Sequence, residues 1–395
     1  MRRIAQVRPS PLIHRWTVLA TLAAALVLVP HALNLAVGSI GPKLIENRTL
    51  AAWPSMPSSI SGWKELPRKL ESAAQDQFPL RASLVTLTNG IRYMLGYSTV
   101  GNVTVGREGW LFYSAQDIVS YHTGRRPPWS PVELDNWLNV FDERVRQLKA
   151  KNIEYIMLVA PRKPTIYPEK TRFPAVVHRD VDVLIAAAKA RGNNRIIYPR
   201  DALLEAKNDR QLFGAFDTHW NGYGAYVAYT ALMTRLAEAD PDLKPLPLTA
   251  FSSSTRHQGT GDLTQMLGID HWVSHDLVLF NNDYRTQFRY LGKRQHLIEP
   301  AIIETKAPSS KTLLLVRDSF SEALLPMLER HFRRIVLAHY GQGDFRQDLI
   351  DRYAPDVVIL EMIETSARTA MGNLRWNRKT PAPKDDSPRL EARAQ

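Results

Sequence analysis

The sequence predicts an α/β protein with a three-layer α/β/α domain built on a parallel five-stranded sheet. Short apolar runs of strand length alternate with segments of helical periodicity, which is typical of parallel strands covered by helices on both faces. The chain of 395 residues has room for one large domain with appendages or for two domains. Its apolar fraction of 44% is sufficient for a sizeable core.

A capping box begins the first helix of this alternation. Ser130 is followed by Pro131 at the first helical position and by Glu133, whose carboxylate can bind the N–H of the cap. Apolar residues then recur at helical spacing from Leu134 to Leu148. We therefore expect an amphipathic helix over this segment.

Five short apolar runs are predicted to be buried strands. They are Ile153–Val159, Arg195–Tyr198, Thr312–Val316, Arg334–Ala338 and Asp356–Glu361. Helices are predicted between them, namely Val181–Ala190, the segment from Asn221 to Leu232, Glu322–Phe332 and Phe345–Tyr353. Residues 245–308 are too many for a simple connection, so we expect this insertion to form part of a binding surface.

The N-terminal region predicts a membrane anchor. Residues 1–15 contain four arginines and no acidic residue, and residues 16–40 contain no charged side chain. This order predicts a cytoplasmic N-terminus and translocation of the remainder. A bilayer needs about 20 spanning residues, and the segment reaches that length only with His31 and Asn34. The alternative is a signal peptide cleaved near Ala36-Val37-Gly38, and both interpretations export the rest of the chain.

Composition divides the remaining chain and excludes some classes of function. We expect a lead-in over residues 41–100, a catalytic domain over 101–366, and a disordered, Pro-rich and charged tail over 367–395. The net charge of +12 is concentrated at the two ends, so no nucleic-acid partner is expected. The chain contains no cysteine, which excludes disulfides, thiolate zinc sites and cysteine nucleophiles.

A serine follows the third predicted strand, at the edge of the sheet where sites of parallel α/β proteins lie. Asp318-Ser319-Phe320 stands between the strand and a predicted helix. A serine at such a turn directs its hydroxyl beyond the sheet, beside unpaired N–H groups of the helix that can stabilise an oxyanion. The alternative is that Ser319 only caps the helix.

A second polar motif, Asp217-Thr218-His219-Trp220, precedes the helix that Asn221 is predicted to cap. Histidine can take the proton of a serine hydroxyl, and aspartate can orient the imidazole. With Ser319, His219 and Asp217 complete the set of nucleophile, base and orienter. The alternative is an ordinary loop aspartate and a surface histidine. A metal role is disfavoured because the pair lacks further ligands at metal-binding spacing.

These motifs and several shorter blocks, in the same order, resemble the alginate O-acetyltransferase family over roughly residues 44–364. The blocks are Glu46-Asn47-Arg48, Asp76-Gln77-Phe78-Pro79-Leu80-Arg81, Val105-Gly106-Arg107-Glu108-Gly109-Trp110-Leu111-Phe112, Pro161-Arg162-Lys163, Tyr167-Pro168-Glu169, Asp217-Thr218-His219-Trp220-Asn221, Asp318-Ser319-Phe320-Ser321 and Pro355-Asp356-Val357-Val358. The resemblance implies a permuted SGNH-hydrolase-like fold with Ser319 as nucleophile, His219 as base and Asp217 as orienter. The family usually has glycine where this chain has Arg317.

Three further residues are weaker candidates for substrate binding. Lys163 follows a predicted core strand and could reach the site, although a solvated lysine is the alternative. Trp220 could stack on a sugar ring or pack in the core. Arg317 places a cation beside the proposed nucleophile.

The resemblance implies an O-acetyltransferase on the periplasmic side of the bacterial inner membrane. Acetyl would pass through an acetyl-serine to hydroxyls of alginate or a similar exopolysaccharide by double displacement. A multi-spanning membrane acyltransferase is the implied acetyl donor, and no organic cofactor or metal is implied. Two alternatives remain: a carbohydrate O-acetylesterase with the same triad, and a non-catalytic polysaccharide-binding scaffold.

Overall fold

A central β-sheet organises the larger of the two units into which the chain divides. In the computed structural model, residues 11–38, 41, 49–115, 127–172, 179–258, 261–292 and 296–372 are described. One unit comprises residues 1–99 and 265–272, and the other comprises 100–264 and 273–395. Most of the predicted basic segment 1–15 and most of the predicted tail 367–395 lie outside the described residues.

The larger unit contains eleven strands among its described residues. They are β1 (Val103–Val105), β2 (Leu111–Tyr113), β3 (Glu154–Ala160), β4 (Ile196–Ile197), β5 (Ser253–Gln258), β6 (His275–Phe280), β7 (Arg285–Tyr290), β8 (Ala301–Thr305), β9 (Thr312–Arg317), β10 (Arg334–His339) and β11 (Val357–Ile363). The central sheet has the order β4-β3-β11-β9-β10-β8-β7. β1 pairs with β2 and β5 pairs with β6 in separate two-stranded sheets.

The predicted fold class is confirmed, but the predicted strand count is wrong. The five predicted strands correspond to β3, β4, β9, β10 and β11, which all run parallel. β8 and β7 extend this sheet in antiparallel orientation, and both come from the insertion 245–308. β7 was missed because it lies at the sheet edge and carries polar residues, among them Arg285 and Arg289, as an exposed segment does.

Alternate residues of the parallel strands enter two separate hydrophobic clusters, which produces the three layers. Leu313 and Leu315 of β9 face one cluster, whereas Leu314 and Val316 face the other. The helix Gly222–Ala237 supplies the first cluster with buried side chains, including Tyr229, Leu232 and Met233. The helices Pro131–Lys149, Asp180–Ala190 and Gln347–Tyr353 supply the second cluster.

Local capping signals explain where several helices begin and end. The Ser130 hydroxyl accepts a hydrogen bond from the N–H of Glu133 at 3.1 Å, as its predicted cap position requires. The Asn221 side chain accepts one from the N–H of Gly224 at 3.0 Å. Gly192 follows the end of Asp180–Ala190 with a φ of +72°, a conformation that glycine adopts without a steric penalty.

The predicted helix Glu322–Phe332 is wrong. The structure has a 3₁₀-helix at Ser319–Ala323 and a single α-helical turn at Leu325–Leu328. Pro326 explains the break, because proline lacks an N–H and its ring excludes the carbonyl one turn earlier. Proline fits best in the first turn of a helix, and the short α-helix accordingly begins one residue before Pro326.

Three long helices account for most of the described residues of the smaller unit. Its helices are Pro11–Val37, Ile60–Asp76 and Arg81–Met94. Within the first, Arg15–Val37 has a mean hydropathy of 2.0 and is long enough to cross a membrane, a criterion that a signal sequence also meets. The apolar segment therefore has the properties expected of an anchor.

Leu315→Ala is expected to destabilise the protein strongly. The Leu315 side chain is 0% exposed in the centre of the sheet, and removing a leucine from such a site costs about 2–5 kcal/mol. Val132→Ala is the control, because Val132 is 69% exposed and its loss changes stability by about 0.5 kcal/mol or less. Urea unfolding of the detergent-purified chain measures both, and equal midpoints for the two variants would contradict the assigned sheet core.

Candidate active site

The turn after β9 holds Ser319 at the carboxyl edge of the sheet. Asp318 caps the 3₁₀-helix that Ser319 begins, and its carboxylate accepts the N–H of Phe320 at 2.8 Å. The same carboxylate accepts the N–H of Ile363 at 2.9 Å, which ties the turn to β11. As the first residue of the helix, Ser319 has a backbone N–H with no intrahelical acceptor.

The loop that carries His219 is held between the buried helix Gly222–Ala237 and the serine turn. Phe213 and Trp220 form an isolated antiparallel bridge that closes the loop. The Trp220 side chain is buried, and its indole N–H donates to the carbonyl oxygen of Phe320 at 2.9 Å. Trp220 therefore connects the two segments whose polar side chains meet.

The structure brings Ser319, His219 and Asp217 together in one line of hydrogen bonds. His219 Nε2 lies 2.8 Å from Ser319 Oγ, and His219 Nδ1 lies 2.8 Å from Asp217 Oδ1. The same Asp217 oxygen accepts the backbone N–H of His219 at 2.8 Å. Because Nδ1 faces carboxylate oxygen, it carries the imidazole proton, and Nε2 is free to accept the serine proton.

The carboxylates around His219 favour its protonated form. Burial alone lowers the pKa of His219, but the hydrogen bond to Asp217 and the charges of Asp217, Asp262 and Asp318 outweigh it, so the pKa lies above its usual value. For Asp217, burial raises the pKa, whereas the contacts with His219 and the charge of Lys163 lower it to a net value below the usual one. Asp217 is therefore ionised at neutral pH.

The carboxyl groups of Glu361 and Asp318 lie close together beneath the serine turn. Glu361 is fully buried on β11 and accepts the backbone N–H of Asp318 at 3.1 Å. Burial and the charge of Asp318 raise the pKa of Glu361 well above its usual value. Burial also raises the pKa of Asp318. A protonated Glu361 carboxyl can share its proton with Asp318, which avoids two adjacent buried charges.

Lys163, one of the three weaker candidates for substrate binding, is buried and only 2% exposed. Its ammonium group donates to the carbonyl oxygens of Gly214, Ala215 and Asp217. Burial lowers the pKa of Lys163 to about 7, although the charges of Asp262 and Asp217 favour the ammonium form. Lys163 thus contacts the His219 loop from inside the protein.

Arg317 is the last residue of β9 and is buried. One guanidinium nitrogen lies 2.5 Å from Glu322 and 3.3 Å from Ser321 Oγ. Its backbone is paired with His339 of β10 in regular parallel register. No conformation that requires glycine occurs at this position. Arg317, Lys163 and Trp220 all have structural contacts, and their roles in substrate binding stay predictions.

Asp217, His219 and Asp262 offer ligand atoms within 4.8 Å of one another. Such a group can in principle hold a cation. Here Asp217 and His219 are hydrogen-bonded to each other, so a metal would have to displace the proton between them. The arrangement fits proton transfer to and from the serine better than a resident metal.

The site is open to solvent-borne reactants. The His219 side chain is 30% exposed, and Ser319 is partly exposed beside it. A surface cavity of about 740 Å³ lies elsewhere, against the start of the helix Pro131–Lys149, and is lined by Trp129, Trp137 and Arg368 but by none of the three hydrogen-bonded residues. The candidate site is therefore assigned from the three hydrogen-bonded residues and not from the position of this cavity.

Sequence reasoning missed Asp262 and Glu361. Asp262 follows Gly261 in the insertion, for which only a part in a binding surface was predicted. Glu361 was assigned to the end of a core strand without a role. An acidic residue that ends a buried apolar run at the carboxyl edge was the available signal, because burial of such a group requires a partner.

The fold and the hydrogen-bonded trio define the class: this is an SGNH-hydrolase-like α/β protein. The family model described as "SGNH hydrolase-like domain, acetyltransferase AlgX" matches residues 103–353. The chain belongs to this family, as the resemblance of its sequence blocks predicted.

Individual relatives are more distant. A protein of Pseudomonas aeruginosa named "Probable alginate O-acetylase AlgJ" is 27% identical over 214 residues, which cover 52% of this chain and 51% of the relative. A protein of Pseudomonas fluorescens with the same name is 28% identical over 213 residues, which cover 51% of this chain and 50% of that relative. The chain thus spans about half the length of these relatives. The structure of Bacillus cereus PatB1 covers 68% of this chain and 98% of its own, with 13% identity and a TM-score of 0.52, a likeness of fold alone.

Asp217→Asn is expected to move the titration of His219 to lower pH. The carboxylate raises the pKa of His219 above its usual value, so removing its charge must lower that pKa. NMR of carbon-13-labelled histidine follows the titration, and the spectrum of His219→Gln assigns the signal. Asp209→Asn, an exposed aspartate, is the control. An unchanged titration in Asp217→Asn would contradict the contact.

Proposed function

We propose that this protein is an O-acetyltransferase that uses Ser319 as nucleophile, His219 as general base and Asp217 as orienter of the imidazole. The observation that carries the proposal is the continuous line of hydrogen bonds from Ser319 Oγ through His219 to Asp217 at the carboxyl edge of the sheet. Membership of the acetyltransferase AlgX family supports it.

In the first half-reaction, Ser319 Oγ attacks the acetyl carbonyl carbon of the donor while His219 Nε2 takes the hydroxyl proton. The backbone N–H of Ser319, which has no intrahelical acceptor, would donate to the oxyanion that develops. The next N–H, that of Phe320, already donates to Asp318. The bond between acetyl and the leaving group then breaks, and the imidazolium returns its proton to that group. An acetyl-serine ester remains.

In the second half-reaction, the acceptor hydroxyl loses its proton to His219 and attacks the ester carbonyl. The bond to Ser319 Oγ breaks, and the imidazolium returns the proton to the serine. The raised pKa of His219 sets the pH dependence: below it, Nε2 is protonated and cannot accept, so the rate rises as pH increases through that value.

The names of the relatives and the first helix support our proposal for the acceptor class and the location. Two relatives are named alginate O-acetylases, so we propose an exopolysaccharide such as alginate as acceptor. The apolar segment Arg15–Val37 supports a single-pass anchor in the inner membrane with the larger unit in the periplasm. A multi-spanning membrane acyltransferase would then supply acetyl, since the transfer itself needs no cofactor bound by this chain.

The exposure of His219 favours a second candidate function, hydrolysis of the acetyl ester by water. The side chain is 30% exposed, so water can reach the position of the acceptor hydroxyl. With water as acceptor, the same residues would act as a carbohydrate O-acetylesterase.

Ser319→Ala is expected to lower acetyl release from p-nitrophenyl acetate by about 10³-fold or more, because it removes the nucleophile. In the chain without substitutions, intact-mass analysis after quenching should show one added acetyl group, and peptide mapping should place that group on Ser319. Ser55→Ala, an exposed serine far along the chain, is the control and should behave as the unmodified chain.

Alginate oligosaccharides added as acceptors decide between transfer and hydrolysis. Acetylated oligosaccharides in the mass spectrum support the transferase, whereas free acetate alone indicates the esterase. Equal acetyl release by the unmodified chain and by Ser319→Ala would reject both enzymes and leave the scaffold.

A further inference from the structure

The peptide group that joins Asp217 to Thr218 is held at both of its ends by charged side chains. Its carbonyl oxygen accepts a hydrogen bond from Lys163 Nζ at 2.6 Å. Its N–H, which points the opposite way, donates to Asp262 Oδ1 at 2.7 Å. It is the first of the two peptide groups between Asp217 and His219, and the N–H of the second donates to Asp217 Oδ1. The orientation of the first peptide therefore affects how the two side chains face each other.

Lys163 is built into the protein for contact with this loop. Besides Asp217, its ammonium reaches the carbonyl oxygens of Gly214 at 3.0 Å and Ala215 at 3.2 Å. In its protonated form the Lys163 amine has three N–H donors, and these carbonyl oxygens use all of them. Lys163 is the first residue of the short helix Lys163–Ile166. Glu364 fixes the start of this helix by accepting the N–H of Arg162 at 3.3 Å. The loop carbonyls therefore point inward to a buried cation.

Asp262 approaches the loop from the opposite side. The residue before it, Gly261, lies so close that an added Cβ would sit 2.0 Å from the carbonyl oxygen of Phe216. Only glycine fits there, which brings the start of the helix Asp262–Leu267 against the loop. The second oxygen of Asp262 lies 3.9 Å from His219 Nδ1, so this carboxylate is the second negative charge beside the imidazole.

We propose that Lys163 and Asp262 are positioning residues for the reaction, which hold the Asp217–Thr218 peptide from its two ends and so fix His219 between Asp217 and Ser319. This inference rests on the proposed function. It assigns Lys163 to the loop backbone and not to the substrate. Without Lys163, the carbonyl of Asp217 would lose its side-chain donor, whereas those of Gly214 and Ala215 would keep only their backbone donors. Rotation of the Asp217–Thr218 peptide would then turn Asp217 away from Nδ1.

Asp262 adds an electrostatic effect to the positional one. The charged and titratable groups around the His219 loop are Asp217 beside it, Asp262 on its helix, Asp318 below Ser319, Lys163 beneath the loop and His275 of β6 facing Gly214. Asp262→Asn keeps an oxygen that can accept the N–H of Thr218 but removes one negative charge from this set. Asp262→Ala removes both the charge and the acceptor.

The test compares kcat, KM and pH profiles for acetyl release from p-nitrophenyl acetate by the detergent-purified full chain. Lys163→Met should lower kcat by about 10²-fold with little change in KM, because a misplaced base slows the chemical step more than it weakens binding. Asp262→Asn should keep the plateau of kcat and shift the acid limb to lower pH. Asp262→Ala should also lower the plateau, by about 10-fold.

Matched controls are Lys151→Met and Asp351→Asn, which make the same changes in an exposed ion pair of 3.2 Å. These variants should leave kcat and the acid limb unchanged. A kcat of Lys163→Met equal to that of the control, or an unmoved acid limb in Asp262→Asn, would overturn the proposal. Should Lys163→Met fail to fold, the Asp262 variants still decide, since that side chain is 39% exposed.

Failure of the proposed function gives a different result from failure of this inference. If the unmodified chain and Ser319→Ala release acetyl equally, the acetyltransferase proposal fails for every variant. NMR titration of His219 remains informative in that case. A lower pKa of His219 in Asp262→Asn than in Asp351→Asn supports the second carboxylate, and identical titrations overturn it.

Discussion

The hydrogen bond between His219 Nε2 and Ser319 Oγ is the contact on which the candidate site depends, and it joins segments 100 residues apart in sequence. Its length of 2.8 Å is set by the core beneath it. The helix Gly222–Ala237 packs into one hydrophobic cluster of the sheet, β9 lies in the same sheet, and the buried indole of Trp220 bonds to the backbone of Phe320. A change that shifts either element therefore moves base and nucleophile relative to each other.

Ionisable groups are concentrated where this contact is made, although burial of such groups costs stability. Asp318 and Glu361 lie under the serine turn, and Lys163 and Asp262 lie on either side of the histidine loop. Each of these groups binds backbone N–H or carbonyl groups, so their common effect is to fix loop conformation. We infer that they are retained for geometry, since apolar residues of similar volume would pack at least as stably.

Much of the architecture could be predicted because it depends on local pattern. Apolar runs identified all five parallel strands, and the caps at Ser130 and Asn221 identified helix starts to within a residue or two. The missed strand and the wrong helix also concerned local patterns. β7 carries charges because it lies at a sheet edge, and Pro326 outweighed the helical periodicity around it. The edge position of β7 is known only from its neighbours in the sheet, whereas Pro326 is visible in the sequence and was given too little weight.

By itself, the sequence determined the class of fold, the family, and the residues Ser319, His219 and Asp217 as candidates, because strand periodicity and short motifs are properties of neighbouring residues. Only the tertiary structure decided that the three are hydrogen-bonded in series. It also brought in Asp262 and Glu361 and turned Lys163 toward the loop backbone. The physical reason is that hydrogen bonds act over about 3 Å in space. Apart from His219 and Asp217, these partners lie 43 to 100 residues apart along the chain.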